Sequence, residues 1–387
     1  MFGVSSRSSS TKTPSGARRR TRTVIAGAVP VVVLVGLLGM PSIPGTDIDL
    51  TVPFAAEGEG PTFDTLGEVD GRQVVDIGGA KPGELDETTG QLNMTTVAVR
   101  HNLSLAQMMG RWLGSDDTVV PIEQVFPSNV SQEETARQNA AAFANSESNA
   151  TIAAMSYLKH PLETMVYSVA DDAPADGTVK QDDVVTSVDG KDVTLPGDVA
   201  DAVAGYKPGD EVTLGLRRGT REVTEKVTLG KMPDELKKAD SGDSAGGKDS
   251  KDGNGGYLGV TMVAQPAGGL RVSYNLNDIG GPSAGLMFSL AVVDKLSPGE
   301  LTGGKFIAGT GTIDSDGTVG PIGGVTHKIA AAAHAGAEVF LVPSGNCAEA
   351  AGKDYDSDIT LLKVDSLEGA VTALKDYNAG GSPETCR

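Results

Sequence analysis

A chain of 387 residues carries 51 Asp and Glu against 32 Lys and Arg, a formal net charge of −19. That balance excludes nucleic-acid binding, which requires a basic patch, while the length allows two or three hydrophobic cores. Only four histidines occur, His101, His160, His327 and His334, with no H-E-x-x-H motif and no ligand spacing, so no metal centre and no cofactor is expected.

Residues 1–22 are polar and basic and end in Arg18-Arg19-Arg20-Thr21-Arg22. Val24 to Met40 follows as an uncharged apolar run with Pro30 inside it, at the short end for a membrane-spanning helix but extendable through Pro44. Arginines before the run and none soon after predict a cytoplasmic tail over 1–22, a transmembrane signal anchor over 23–44 and a translocated remainder. A cleaved signal peptide is the competing reading. The run is longer than an ordinary signal core, and no A-x-A site follows Met40.

Residues 50–150 alternate strand-like pieces (69–76 and 92–99) with helical ones over Ser104 to Leu113 and Gln132 to Ser146. This α/β region is expected to pack on the C-terminal part of the chain. Trp112, the sole tryptophan, reads as a packing anchor. Residues 153–230 are β-rich. Ala175 to Val193 has a turn, a strand and a hairpin at Asp189-Gly190, a helix follows over Leu195 to Val203, and Val212 to Thr220 with Val223 to Leu229 forms a closing hairpin. This pattern resembles a protease-associated PDZ domain, which implies capture of peptides by strand addition, although the usual carboxylate-binding loop is not evident. A small β-domain without a ligand is the plainer alternative. Residues 232–256 are Gly-, Ser-, Asp- and Lys-rich with almost no apolar content and read as a flexible linker.

The chemistry concentrates beyond residue 280. Gly280-Gly281-Pro282-Ser283-Ala284-Gly285 opens the apolar run Leu286 to Val293, so a glycine-rich turn delivers one serine onto the first turn of a buried helix. The plain reading is a serine N-cap. The chemical one sets the hydroxyl and the backbone N–H groups of Ser283 and Ala284 at the positive end of a helix dipole, where an oxyanion is stabilised. Downstream, Phe306 to Ile313 is strand-like, Gly323-Gly324 punctuates, and Val325 to Ala335 has helical composition ending at Gly336. Lys328 then sits in the first turn or so of that helix, where dipole and burial both lower its pKa toward that of a general base. The plain alternative is a solvated lysine. His327 adjoins it but points about 100° away around the helix and is read as incidental. Gly299 to Phe306 nearly matches a phosphate-binding P-loop. It ends in Phe306 where a hydroxyl is needed and has no convincing strand before it, so it is rejected.

Together Gly281-Pro282-Ser283-Ala284-Gly285 and Pro321-Ile322-Gly323-Gly324-Val325-Thr326-His327-Lys328 resemble the proteolytic domain of Lon, a serine protease with a Ser-Lys dyad, over about Tyr257 to Leu374. The resemblance implies catalytic roles for Ser283 and Lys328 and a supporting role for Thr310, on the intervening strand, as an acceptor for the lysine amine. Many Lon enzymes carry an acid where this chain has Gly280, with Asp278 two residues earlier. Lon also carries an ATPase that is not recognisable here, so the expected activity is ATP-independent.

The expected fold is α+β: an N-terminal transmembrane helix, an α/β region packing with a Lon-like proteolytic domain over 257–387, and a PDZ-like domain preceding or inserted in it. The expected function is a membrane-anchored serine endopeptidase acting on exported or membrane proteins. Its partners would be protein or peptide substrates and, through residues 24–40, a bacterial cell membrane, with its C-terminal domains outside the cytoplasm. Lon relatives form rings, so a homo-oligomer is allowed. The alternative is an inactive or auto-inhibited PDZ scaffold; a simple structural anchor is the third class. In an oxidising compartment Cys347 and Cys386, the only cysteines, are expected to pair.

Overall fold

In the computed structural model, residues 28–30, 32–126, 132–233, 255–276, 279–355 and 357–386 are described. The chain divides into two compact units, Met1–Gly58 with Val99–Asn129, and Glu59–Ala98 with Val130–Arg387. Strands β1 (Phe54–Asp64) and β2 (Gln91–Arg100) run through both.

In the first unit, residues 28–30 and 32–39 are helical. Among the described residues no helix is long and apolar enough to cross a membrane, so the spanning helix expected over 23–44 is not supported by them. Residues 24–27 and 31 of the apolar run lie outside the described residues. Helix α1 (Leu105–Gly114) begins in a capping box: Ser104 Oγ accepts from the Gln107 N–H, and the Gln107 side chain accepts from the Ser104 N–H. It contains no buried residue. Trp112 is 61% exposed, so the packing role expected of it is overturned. Strand β3 (Thr118–Pro121) pairs antiparallel with Phe54–Glu57.

The second unit holds two large sheets. Helix α2 (Gln132–Tyr157) is longer than the pattern 132–146 predicts and leads into β4 (Leu162–Val169) and β5 (Val184–Val188). Helix α3 (Pro196–Ala204) and the hairpin β6 (Glu211–Arg218) and β7 (Arg221–Thr228) follow. A further strand, β8 (Val260–Pro266), comes only after the linker, and the sheet order is β7-β6-β5-β4-β8, with Lys191–Asp192 paired to β5 off this path. Residues 260–266, within the range 257–387 expected for the proteolytic domain, pair with β4 in this sheet. Gly230–Lys231 pairs with Gly256–Tyr257, so the two ends of the linker meet. Val166, Val185, Leu214 and Leu216 form this domain's core. Beside it the buried Asp183 carboxylate takes two hydrogen bonds from Arg218, at 2.8 and 2.7 Å, and Arg218 also reaches the Thr178 carbonyl. Asp183→Ala is expected to destabilise this domain by about 1–3 kcal/mol, because it removes the acceptor of two Arg218 donors and of the Lys180 N–H; a thermal melt of the full chain checks it.

The other sheet has the order β11-β10-β9-β2-β1 within this unit, where β9 is Phe306–Gly309, β10 is Val339–Pro343 and β11 is Thr360–Val364. β2, β9, β10 and β11 are parallel. All five residues of β10 are buried, as a parallel strand covered on both faces requires. Helix α4 (Gly285–Leu296) is apolar all round and buried from Gly285 to Asp294, packed against α2 and the sheet around Phe288, Leu290, Phe143 and Ala154. Helix α5 (Val325–Ala335) belongs to a separate cluster with Phe340 and Val342, and helix α6 (Leu367–Asn378) closes the chain. Cys347 and Cys386 are joined by a disulfide, and the Cys386 N–H bonds to the Leu361 carbonyl.

Candidate active site

The serine turn and the lysine helix meet at one end of the parallel strands. Pro282 and Ser283 lie just ahead of α4, whose N-cap is Ala284, rather than in its first turn. The turn is held by the chain leaving β9. The Ser283 carbonyl accepts from the Gly311 N–H at 3.0 Å and from the Thr310 hydroxyl at 3.1 Å, and the Leu286 N–H donates to the Gly311 carbonyl at 3.1 Å.

Lys328 enters from the opposite side. Gly324, the N-cap of α5, has φ 66°, and a Cβ built there would stand 2.8 Å from Val97 Cγ2. Glycine is thus required for both backbone and space, which makes the Gly323-Gly324 punctuation structural. One turn on, the Lys328 side chain is buried, and its Nζ lies 2.7 Å from Ser283 Oγ and 3.0 Å from Thr310 Oγ1. Removal from water lowers its pKa from 10.5 to about 7. The Thr310 proton is committed to the Ser283 carbonyl, so Thr310 can only accept from the amine. The Pro321-Ile322 backbone beside them is clamped by the buried Asn346 side chain, which exchanges hydrogen bonds of 2.9 Å with both polar groups of Ile322.

Helix α2 supplies contacts that the sequence reading missed. The Asn139 carbonyl accepts from the Gly281 N–H at 3.0 Å, and Ser146 Oγ donates to the Pro282 carbonyl at 3.0 Å. Asn149 reaches the Ile313 carbonyl at 3.1 Å. This approach explains Gly280: a Cβ there would sit 2.9 Å from Asn139 Cβ, so the acid found in many Lon enzymes would displace α2. Asp278 lies outside the described residues. Ser146→Ala removes one strut of the serine turn without touching Ser283. It is expected to lower kcat by about 10- to 100-fold with KM little changed, and steady-state peptide hydrolysis reads both constants.

The site opens into a cleft of about 700 Å³ lined by Phe63, Met94, Val97, Phe143 and Ile279, with Lys328 the one ionisable side chain among its described lining residues. Neither the Ser283 nor the Ala284 N–H finds an acceptor among the described residues, and both sit at the N-terminal end of α4.

A domain built on parallel strands, with a serine hydroxyl set against a buried lysine, is thus joined to a β-domain whose main sheet has six strands. Residues 278–374 match the Lon protease (S16) C-terminal proteolytic domain, and residues 141–229 match the PDZ domain. The chain carries a Lon-type proteolytic domain and a PDZ domain. Strands β1 and β2 of the first domain and β8 of the second fall outside the matched ranges. A probable periplasmic serine endoprotease, DegP-like, from Ectopseudomonas mendocina is 34% identical over 30% of this chain and 24% of its own. An archaeal Lon protease from Halobacterium salinarum is 33% identical over 27% of this chain and 14% of its own. The chain thus spans about a quarter or less of these relatives. The PDZ domain of an SdrC-like protein from Listeria innocua aligns at 19% identity and a TM-score of 0.20, covering 26% of this chain and 92% of that one.

Proposed function

We propose that this protein is a serine endopeptidase whose nucleophile is Ser283 and whose general base is Lys328. The observation that carries the reading is the 2.7 Å contact between Lys328 Nζ and Ser283 Oγ in a site that removes the amine from water. With a pKa of about 7, a large fraction of Lys328 is neutral at physiological pH and can accept a proton. Its N–H donates to Thr310, which aims the lone pair at the serine hydroxyl. Ser283 Oγ attacks the peptide carbonyl as its proton passes to Nζ. The oxyanion is held by the Ser283 and Ala284 N–H groups at the head of α4. Collapse expels the amine, which takes the proton back from the ammonium. Water, deprotonated by Lys328, then hydrolyses the acyl-enzyme. Mass-spectrometric mapping after reaction with a serine-acylating probe tests this reading: an adduct on Ser283 supports it, and labelling equal in wild type and Ser283→Ala rejects it.

The substrates are protein segments taken up without ATP-driven unfolding. Presentation to the cleft is assigned to the PDZ domain. Among the described residues β8 ends its sheet with one edge unpaired by any strand, and α3 packs beside it, the arrangement into which an extended peptide adds as a further strand. The basic tail and apolar run at 24–40 support attachment to a membrane with the two domains on the outer side, and a disulfide between Cys347 and Cys386 accords with that compartment.

A further inference from the structure

Neither domain accounts for the apolar face of α1. Leu105, Met109, Trp112 and Leu113 recur on one side of the helix at positions i, i+4, i+7 and i+8. Met109, Trp112 and Leu113 are 41, 61 and 70% exposed. The helix is held by its ends instead of by this face. Its N-terminus is fixed by the capping box and by the Val52 N–H donating to the Leu103 carbonyl at 2.9 Å, and its C-terminal turn by Arg111 pairing with Asp117 at 2.8 Å. A contiguous uncovered stripe of large apolar residues marks an interaction surface, unlike apolar residues scattered singly.

The path of the chain says what covers it. The apolar run ends at Met40. The Leu50 N–H donates to the Pro41 carbonyl at 2.8 Å, and Ser42 bridges Asp49, so residues 41–50 form a closed loop. Thr51 then bridges Ser104, the N-cap of α1. Two chain pairings and three peptide steps join the end of the apolar run to the start of α1, about 22 Å at most. Val32, Val33, Leu34 and Val35 of that run are themselves exposed, so one compact unit carries two uncovered apolar helical segments close together.

We propose that α1 lies in the lipid–water interface of the membrane engaged by residues 24–40, with Met109, Trp112 and Leu113 inserted and Arg111 at headgroup level. The inference rests on the membrane reading made above. A helix with Trp, Leu and Met on one face and an arginine beside them has the composition of an interfacial helix. With a net charge of −19, the chain is not drawn to anionic lipid. The contact is therefore apolar and should not be released by salt.

Trp112 is the only tryptophan, so the full chain reports on this face without labelling. In phosphatidylcholine vesicles, Trp112 emission should be quenched by lipids brominated near the start of the acyl chain, protected from aqueous acrylamide, and unchanged by added salt. The double variant M109E/L113E should lose bromolipid quenching several-fold with the helical circular dichroism signal unchanged. Unaltered quenching in that variant overturns the proposal. Co-sedimentation with vesicles while Trp112 stays open to acrylamide overturns it too, leaving the membrane reading intact. Failure to co-sediment overturns both. Acrylamide protection without lipid quenching, lost as protein is diluted over more vesicles, assigns the face to a second copy of the chain and equally overturns the lipid assignment.

Discussion

Ser283→Ala and Lys328→Ala should each reduce kcat for casein or peptide hydrolysis by on the order of 10⁴-fold, and the double variant should be no worse than either single one. Groups that act as one unit are non-additive, because the second loss removes nothing the first has left working. The residual rate reflects substrate binding and the backbone donors at the head of α4, which neither substitution touches. Lys328→Arg should be as inactive as the alanine variant, since a guanidinium stays protonated and cannot accept the serine proton. In the wild type, kcat should fall as pH drops below about 7, the value to which burial brings Lys328, because the ammonium has no lone pair to offer. A pH–rate profile reads this limb directly. Independent, multiplicative losses in the two single variants, or an acidic limb near the ordinary carboxylate range, would remove the dyad from the mechanism.

The residues that carry this chemistry were legible because local punctuation marks them. Gly281-Pro282 ahead of an apolar run and Gly323-Gly324 ahead of an alanine-rich one each set a polar side chain at a helix start, and Gly324 turns out to need both its positive φ and its missing Cβ. The supporting shell was not legible. Ser146 lies 136 residues before the carbonyl it holds, on a helix rich in Ala, Asn and Ser whose polar residues form no stripe that distinguishes a buried face. Strand β8 escaped for a related reason. It joins the PDZ sheet across a 25-residue polar stretch, 232–256, and pattern reading assigns a strand to the segment it adjoins in sequence. Trp112 failed in the opposite direction. The reading placed it on a helix, but a helical pattern carries no information about whether protein or something else covers that helix's apolar face.

Burial of Lys328 also has a consequence for stability that is separable from activity. Its folded pKa, about 7, lies below the 10.5 of an exposed lysine, so between these values the unfolded chain binds the extra proton. Stability must therefore rise with pH across that window, by up to about 1.4 kcal/mol per pH unit. Below about pH 7 both states are protonated, and the native state bears the full penalty of a buried ammonium. Lys328→Met removes the titration and leaves the Ser283 and Thr310 hydroxyls without the amine, a loss of about 1 kcal/mol per hydrogen bond that is nearly constant with pH. The difference in unfolding free energy, wild type minus variant, should accordingly climb by several kcal/mol between pH 7 and pH 10, whatever its absolute sign at either end. Urea titrations of the two proteins, followed by far-ultraviolet circular dichroism with the disulfide intact, measure it. A difference that stays flat over this range would mean that Lys328 titrates like an exposed lysine. The amine would then be charged at neutral pH, and Ser283 would have no base.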